Sequence, residues 1–190
     1  MKITVVGVDP SLRNFGLVRA SLELDDMTFQ VLGMRLVKSD DEAKQKKTVR
    51  KNSDDLRRAR ILQEGMAAAC LEASFAFVEV PVGSQSARAM ASYGICVGVL
   101  SSCPIPVIEV TPSEVKLAMT GHKTATKDEM IEAAVKNHPD ALWLTRKLKG
   151  ESVLLAENEH LADAIGAIMA GIKSEQFKAA TAMFKQLKVA

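Results

Sequence analysis

Apolar residues are spaced first as strands and later as helices. Residues 2–8 are a β-branched run that closes on Asp9-Pro10-Ser11, a turn signal. Residues 15–21 and about 28–37 follow with short polar connections, the spacing of an antiparallel meander. Segment 38–52 lacks apolar periodicity and predicts a loop. Ser53-Asp54-Asp55 then marks a helix start, a capping residue followed by acids at the positive end of the dipole. Its stripe of Leu56, Ile61, Leu62 and Met66 runs to about Ser74. Residues 75–80 predict a short strand broken by Pro81-Val82-Gly83, and Ser84 opens a helix through Met90, Tyr93, Val97 and Leu100. Residues 106–110 predict the next strand. Thr111-Pro112-Ser113-Glu114 opens a helix with proline near its first position. After a loop at 121–125, Thr126 caps a helix carrying Met130, Ile131, Ala134 and Val135. Segment 139–156, with the basic run Arg146-Lys147-Leu148-Lys149, fits no element, and helices close the chain at about 158–172 and 174–187.

This order predicts an α/β protein: a mixed five-stranded sheet, three antiparallel strands and then two parallel, with helices on both faces. The 190 residues suit a single domain with a sizeable core, interrupted at about 38–52 and about 139–156. No apolar run is long enough to span a bilayer and no signal peptide is legible, so a cytoplasmic protein is expected. Cys70, Cys96 and Cys103, odd in number and widely spaced, read as buried free thiols. Net charge is only +2, but ten Lys/Arg stand against five Asp/Glu between Arg35 and Arg60. That block, which includes Lys46, Lys47, Arg50 and Lys51, suits a phosphate backbone, though a solvated face would look the same.

The chemistry lies where charges end apolar runs. Asp9 closes the first strand, Glu79 closes the strand from Phe75, and His160 and Asp163 open the last long apolar helix. A carboxylate in such surroundings is costly unless paired or bound to metal. Its recurrence points to one shared cluster for Mg²⁺ or Mn²⁺. Residues 160 and 163 are neighbours on one helix face, and Glu157, a turn earlier, is a reserve ligand.

Gly7-Val8-Asp9-Pro10-Ser11 with Gly16, Val78-Glu79, Thr111-Pro112 through Val115-Lys116, Gly121 with Lys127, and His160-x-x-Asp163-Ala164 resemble, in that order, the RuvC-type Holliday junction resolvases. The resemblance covers about residues 2–24 and 54–172. It implies an RNase H-like fold and a homodimeric endonuclease that nicks four-way DNA junctions symmetrically, in a bacterial cell or a phage-infected host. It implies that Asp9, Glu79, Asp163 and His160 are catalytic metal-site residues, with two divalent ions per site. It places Lys116 and Lys127 near the scissile DNA, and Lys123 lies between them. The stretch Val80-Pro81-Val82-Gly83-Ser84 lacks the aromatic that the family often carries after its central glutamate.

Three other readings are open. An RNase H-fold nuclease acting on flaps, other branched DNA or RNA–DNA hybrids would carry the same acids. A non-catalytic binder of branched DNA would not need the complete acidic set. An actin-like ATPase can also begin Gly-x-Asp, but no second phosphate loop is present and the chain is short for two lobes.

Overall fold

The computed structural model describes residues 1–40 and 50–187, the side chains of 183–187 excepted. Lys46 and Lys47 therefore lie outside the described residues. Strands β1 (Lys2–Asp9), β2 (Asn14–Glu23) and β3 (Phe29–Lys38) form the expected meander. Helix α1 (Lys51–Cys70) leads to β4 (Phe75–Glu79), α2 (Ala87–Ser101) to β5 (Val107–Val110). Helices α3 (Pro112–Thr120) and α4 (Lys127–Asn137) follow. The sheet order is β3-β2-β1-β4-β5, with β1–β2 and β2–β3 antiparallel and β1–β4 and β4–β5 parallel. That is the mixed five-stranded sheet expected from the order of elements.

Side chains alternate across a strand, and both faces of this sheet are buried. Val5, Phe75, Phe77, Ile108 and Val110 pack into a core with helix α5 (Asn158–Gly171) and Phe177 of helix α6 (Glu175–Leu187). Val6, Val8, Ala76 and Val78 face the opposite way, onto Leu62 and Met66 of α1 and Cys96 and Val99 of α2. The strands thus read as near-continuous apolar runs because helices cover both sides.

Two helix starts differ from expectation. Helix α1 begins at Lys51 behind Arg50, so Ser53 lies inside it. The Asp54 carboxylate caps no backbone group: it accepts from Arg57 Nη2 and Arg58 Nε, each at 2.7 Å. Ser86 rather than Ser84 caps α2, and Ser84 Oγ accepts from the Ser86 N–H. Both ends of the loop predicted at 38–52 fall in elements, since Lys38 ends β3 and Lys51 starts α1, and residues 41–49 lie outside the described residues. Segment 139–156 holds a hairpin, β6 (Thr145–Leu148) and β7 (Glu151–Leu154), separate from the main sheet. Thr111 and Thr126 cap α3 and α4 in full capping boxes with Glu114 and Glu129. Cys70 and Cys96 are buried; Cys103 is half-buried, its sulfur 3.8 Å from that of Cys70. No helix among the described residues is long and apolar enough to cross a membrane.

Candidate active site

Parity along the strands decides where the acids point. Asp9 is in phase with Val5 and Gly7, and Glu79 with Phe75 and Phe77, so both continue the face that α5 covers. In the parallel β1–β4 pair Val8 stands opposite Val78, which brings Asp9 and Glu79 out of adjacent strands at one level.

Two glycines let α5 settle onto that face. A Cβ on Gly7 would overlap the Ala164 carbonyl oxygen and crowd Ile168. A Cβ on Gly16, the register partner of Asp9, would overlap the His160 carbonyl oxygen. The start of α5 therefore lies directly over the end of β1. His160 Nδ1 is 2.6 Å from Asp9 Oδ2, and its Nε2 is 3.5 Å from Glu159 Oε1.

The electrostatics are those of crowded, partly dehydrated acids. Burial, with the charges of Asp9 and Asp163 added, pushes the Glu79 carboxyl up to about 8. Burial and the Asp9 charge push Asp163 up to about 7. Neither carboxyl receives a hydrogen bond from a described residue. Burial pulls the His160 imidazole down, but the Asp9 hydrogen bond and the surrounding carboxylates outweigh it and its pKa is raised.

Among the described residues, no three His, Cys, Asp or Glu side chains close into a metal-ligand group. The donors nevertheless fit a hard divalent cation. Asp9, Glu79 and Asp163 offer carboxylate oxygens at one end of the sheet, and their mutual repulsion is what a cation would relieve. His160 already occupies one Asp9 oxygen.

The predicted residues separate on this geometry. Asp9, Glu79, His160 and Asp163 come together, and half-buried Lys116 on α3 lends its charge to both Glu79 and Asp163. Lys127 bonds Glu159 Oε2 at 2.6 Å and so reaches the cluster through that residue. Glu157, expected in reserve, is turned aside: Lys38 Nζ holds its carboxylate at 3.3 Å. Glu159 joins the cluster instead and was not anticipated, although it lies four residues before Asp163, on the same helix face. Lys123 is exposed and bears on Glu114, the capping residue of α3. Arg50 and Lys51 are exposed at the start of α1.

That start is joined to the loop after Asp9. Ser39 Oγ donates to the Leu12 carbonyl at 2.6 Å and accepts from buried Arg58 at 3.0 Å. Between them opens a cavity of about 420 Å³ of mixed lining, with Leu12 and Ala89 beside Arg13, Arg58, Arg88 and Tyr93. Its arginines pair with Asp40, Asp54 and Asp55.

No family model matches the chain. A stretch of 41 residues, 22% of the chain, is 49% identical to the crossover junction endodeoxyribonuclease RuvC of Anaeromyxobacter, of whose length it spans 20%. Among solved structures, Thermus thermophilus RuvC in complex with a Holliday junction substrate is 18% identical. The TM-score is 0.62, over 88% of this chain and 92% of that one. The yeast mitochondrial Holliday junction resolvase is 12% identical with a TM-score of 0.56, over 96% and 85%. The chain thus has the RNase H-like fold of the RuvC-type resolvases.

Proposed function

We propose that the chain is a divalent-metal-dependent endodeoxyribonuclease that resolves four-way DNA junctions by paired symmetric nicks. The observation that carries this reading is the convergence of Asp9, Glu79 and Asp163 from three separated elements, two of them with strongly raised pKa values. Acids held together at that cost, two of them with no hydrogen-bond donor among the described residues, call for a cation. The fold shared with junction resolvases and the short stretch of high identity to one supply the substrate class.

Asp9, Glu79 and Asp163, with His160 beside them, would hold Mg²⁺ or Mn²⁺, two ions per active site. Bound there, the metal supplies an activated water and neutralises charge on the leaving oxygen. The chain's own residues do the rest. His160 Nδ1 shares its proton with Asp9 Oδ2 and so orients that carboxylate. Glu159 steadies the other ring nitrogen and fixes Lys127. Lys116, beside Glu79 and Asp163, offers a cation to the scissile phosphate. Arg50 and Lys51, with Lys46, Lys47 and Lys123, extend phosphate contact beyond the cleavage site and make binding salt-dependent.

Paired nicks require two such sites, hence a homodimer. A groove of about 620 Å³ between α1 and α2, lined by exposed Leu56 with Ala59, Ala91, Ile95 and Val99, offers it an apolar surface.

One observation keeps a second reading, a nuclease of flaps or other branched DNA. The loop after Glu79 presents no aromatic to an opened junction, only Val82 at 81% exposure. A cleavage panel of four-way junction, flap, RNA–DNA hybrid and plain duplex separates the two. Preferential paired cleavage of the junction supports resolution; preference for the flap supports the second reading.

A further inference from the structure

The basic run Arg146-Lys147-Leu148-Lys149 has no part in the site just described, yet it is built into a defined device. It forms one strand of the β6–β7 hairpin and its turn. The pairs are Thr145 with Leu154, Arg146 with Val153, Lys147 with Ser152 and Leu148 with Glu151. The turn residues Lys149 and Gly150 both have positive φ, 51° and 91°, the geometry that matches the twist of a two-residue hairpin. All eight strand residues are exposed. A lone two-stranded hairpin is marginal in water, so this one depends on its base.

The base is tied to the catalytic helix. Buried Asn158, two residues before His160, accepts from the Leu144 N–H at 2.9 Å. Its amide donates to the Leu144 and Leu155 carbonyls at 2.8 and 3.0 Å. The Leu155 N–H closes the ring by donating to the Leu144 carbonyl at 3.0 Å. The hairpin is thus fixed to the start of α5 rather than to the sheet.

Its free surface is cationic. Arg146, Lys147 and Lys149 stand against Glu151 within the hairpin, while the Arg146 charge also bears on Glu157 at its base. Lys147 shares a face with Thr145 and Ser152, whose hydroxyls also suit phosphate oxygens. Four residues per strand give a reach of about 13 Å at about 3.3 Å each. That is alongside about four nucleotides of one strand at about 3.4 Å each.

We propose that the β6–β7 hairpin is a DNA grip, whose Arg146, Lys147 and Lys149 hold the phosphates of the arm next to the scissile one. The proposal rests on the nuclease reading for its substrate. It assigns these residues affinity and positioning, not chemistry.

The test is the triple variant Arg146→Gln, Lys147→Gln, Lys149→Gln in the full chain, with Lys173→Gln, Lys178→Gln as the control beyond the far end of α5. Binding to a fixed four-way junction is measured by fluorescence anisotropy in EDTA across a salt series. Single-turnover nicking is measured with Mg²⁺ at saturating protein. Each lost phosphate contact removes about 0.9 from the slope of log affinity against log salt, so the triple variant should lose about 2 to 3. Its affinity should fall at least about tenfold at moderate salt, with nicking at saturation preserved within about twofold. An unchanged slope, an equal loss in the control, or a wild type that does not bind junctions overturns the proposal. A wild type that binds with hairpin-dependent affinity but never nicks supports the grip and defeats the nuclease reading, so the two failures are distinct.

Discussion

Replacing Glu79 by glutamine should stabilise the metal-free protein at alkaline pH while removing its function. The carboxyl titrates at about 8 in the fold against an ordinary value of 4.5, because it is buried beside Asp9 and Asp163. At about 1.4 kcal/mol per unit, that displacement is a folding penalty of about 4 kcal/mol at pH 8. Glutamine keeps the shape but leaves an amide short of partners, which returns about 1–3 kcal/mol. The net gain should be about 1–3 kcal/mol at pH 8 and turn into a net loss of about 1–3 kcal/mol near pH 4.5, where only the amide cost remains. The sign follows from proton binding: the native state holds its proton where the unfolded chain has lost it. Stability therefore falls as pH rises from the ordinary value toward about 8. His160, also raised, contributes stability present below its ordinary 6.5 and lost as pH rises through its folded value. The slope should thus become shallower in the variant, not vanish. Urea unfolding followed by the single tryptophan, Trp143, at pH 5, 6.5 and 8 in EDTA measures it. Excess Mg²⁺ should then stabilise the wild type more than the variant. An identical pH slope in both proteins would refute the electrostatic reasoning.

Three further outcomes are expected. Gly16→Ala pushes a methyl into the His160 carbonyl and should cost about 1–3 kcal/mol of stability by thermal melt, with nicking lost even where the protein remains folded. Lys127→Ala frees Glu159 beside His160 and should lower single-turnover nicking more than junction affinity; the reverse pattern would make Lys127 a plain phosphate contact. Thr126→Ala removes one capping box and should cost about 1 kcal/mol in urea unfolding with the nicking rate unchanged.

The strands and the acids were legible because alternation and burial leave marks in the chain. Val5 to Val8 and Phe75 to Val78 read as runs buried on both sides, and a charge closing such a run is conspicuous. Glu159 was equally within reach, since the neighbour rule that pairs 160 with 163 also pairs 159 with 163. The fate of Glu157 was not: its partner Lys38 lies 119 residues away. The start of α1 misled because Asp54 has the form of a helix-start acid but binds Arg57 and Arg58. The β6–β7 hairpin was illegible because its strands have little β-branched content and its turn is Lys149-Gly150 rather than an asparagine-led pair.

The central claim is that Asp9, Glu79 and Asp163 form a metal-dependent centre for paired cleavage of junctions. Nick mapping on an immobile four-way junction, with Mg²⁺ or Mn²⁺ and beside Asp9→Asn, tests it most directly. Nicks are expected at symmetric positions in two opposing strands, abolished by EDTA and by Asp9→Asn, with junction binding by the variant largely retained. Cleavage that persists at full rate in Asp9→Asn, or proceeds unchanged in EDTA, would contradict it.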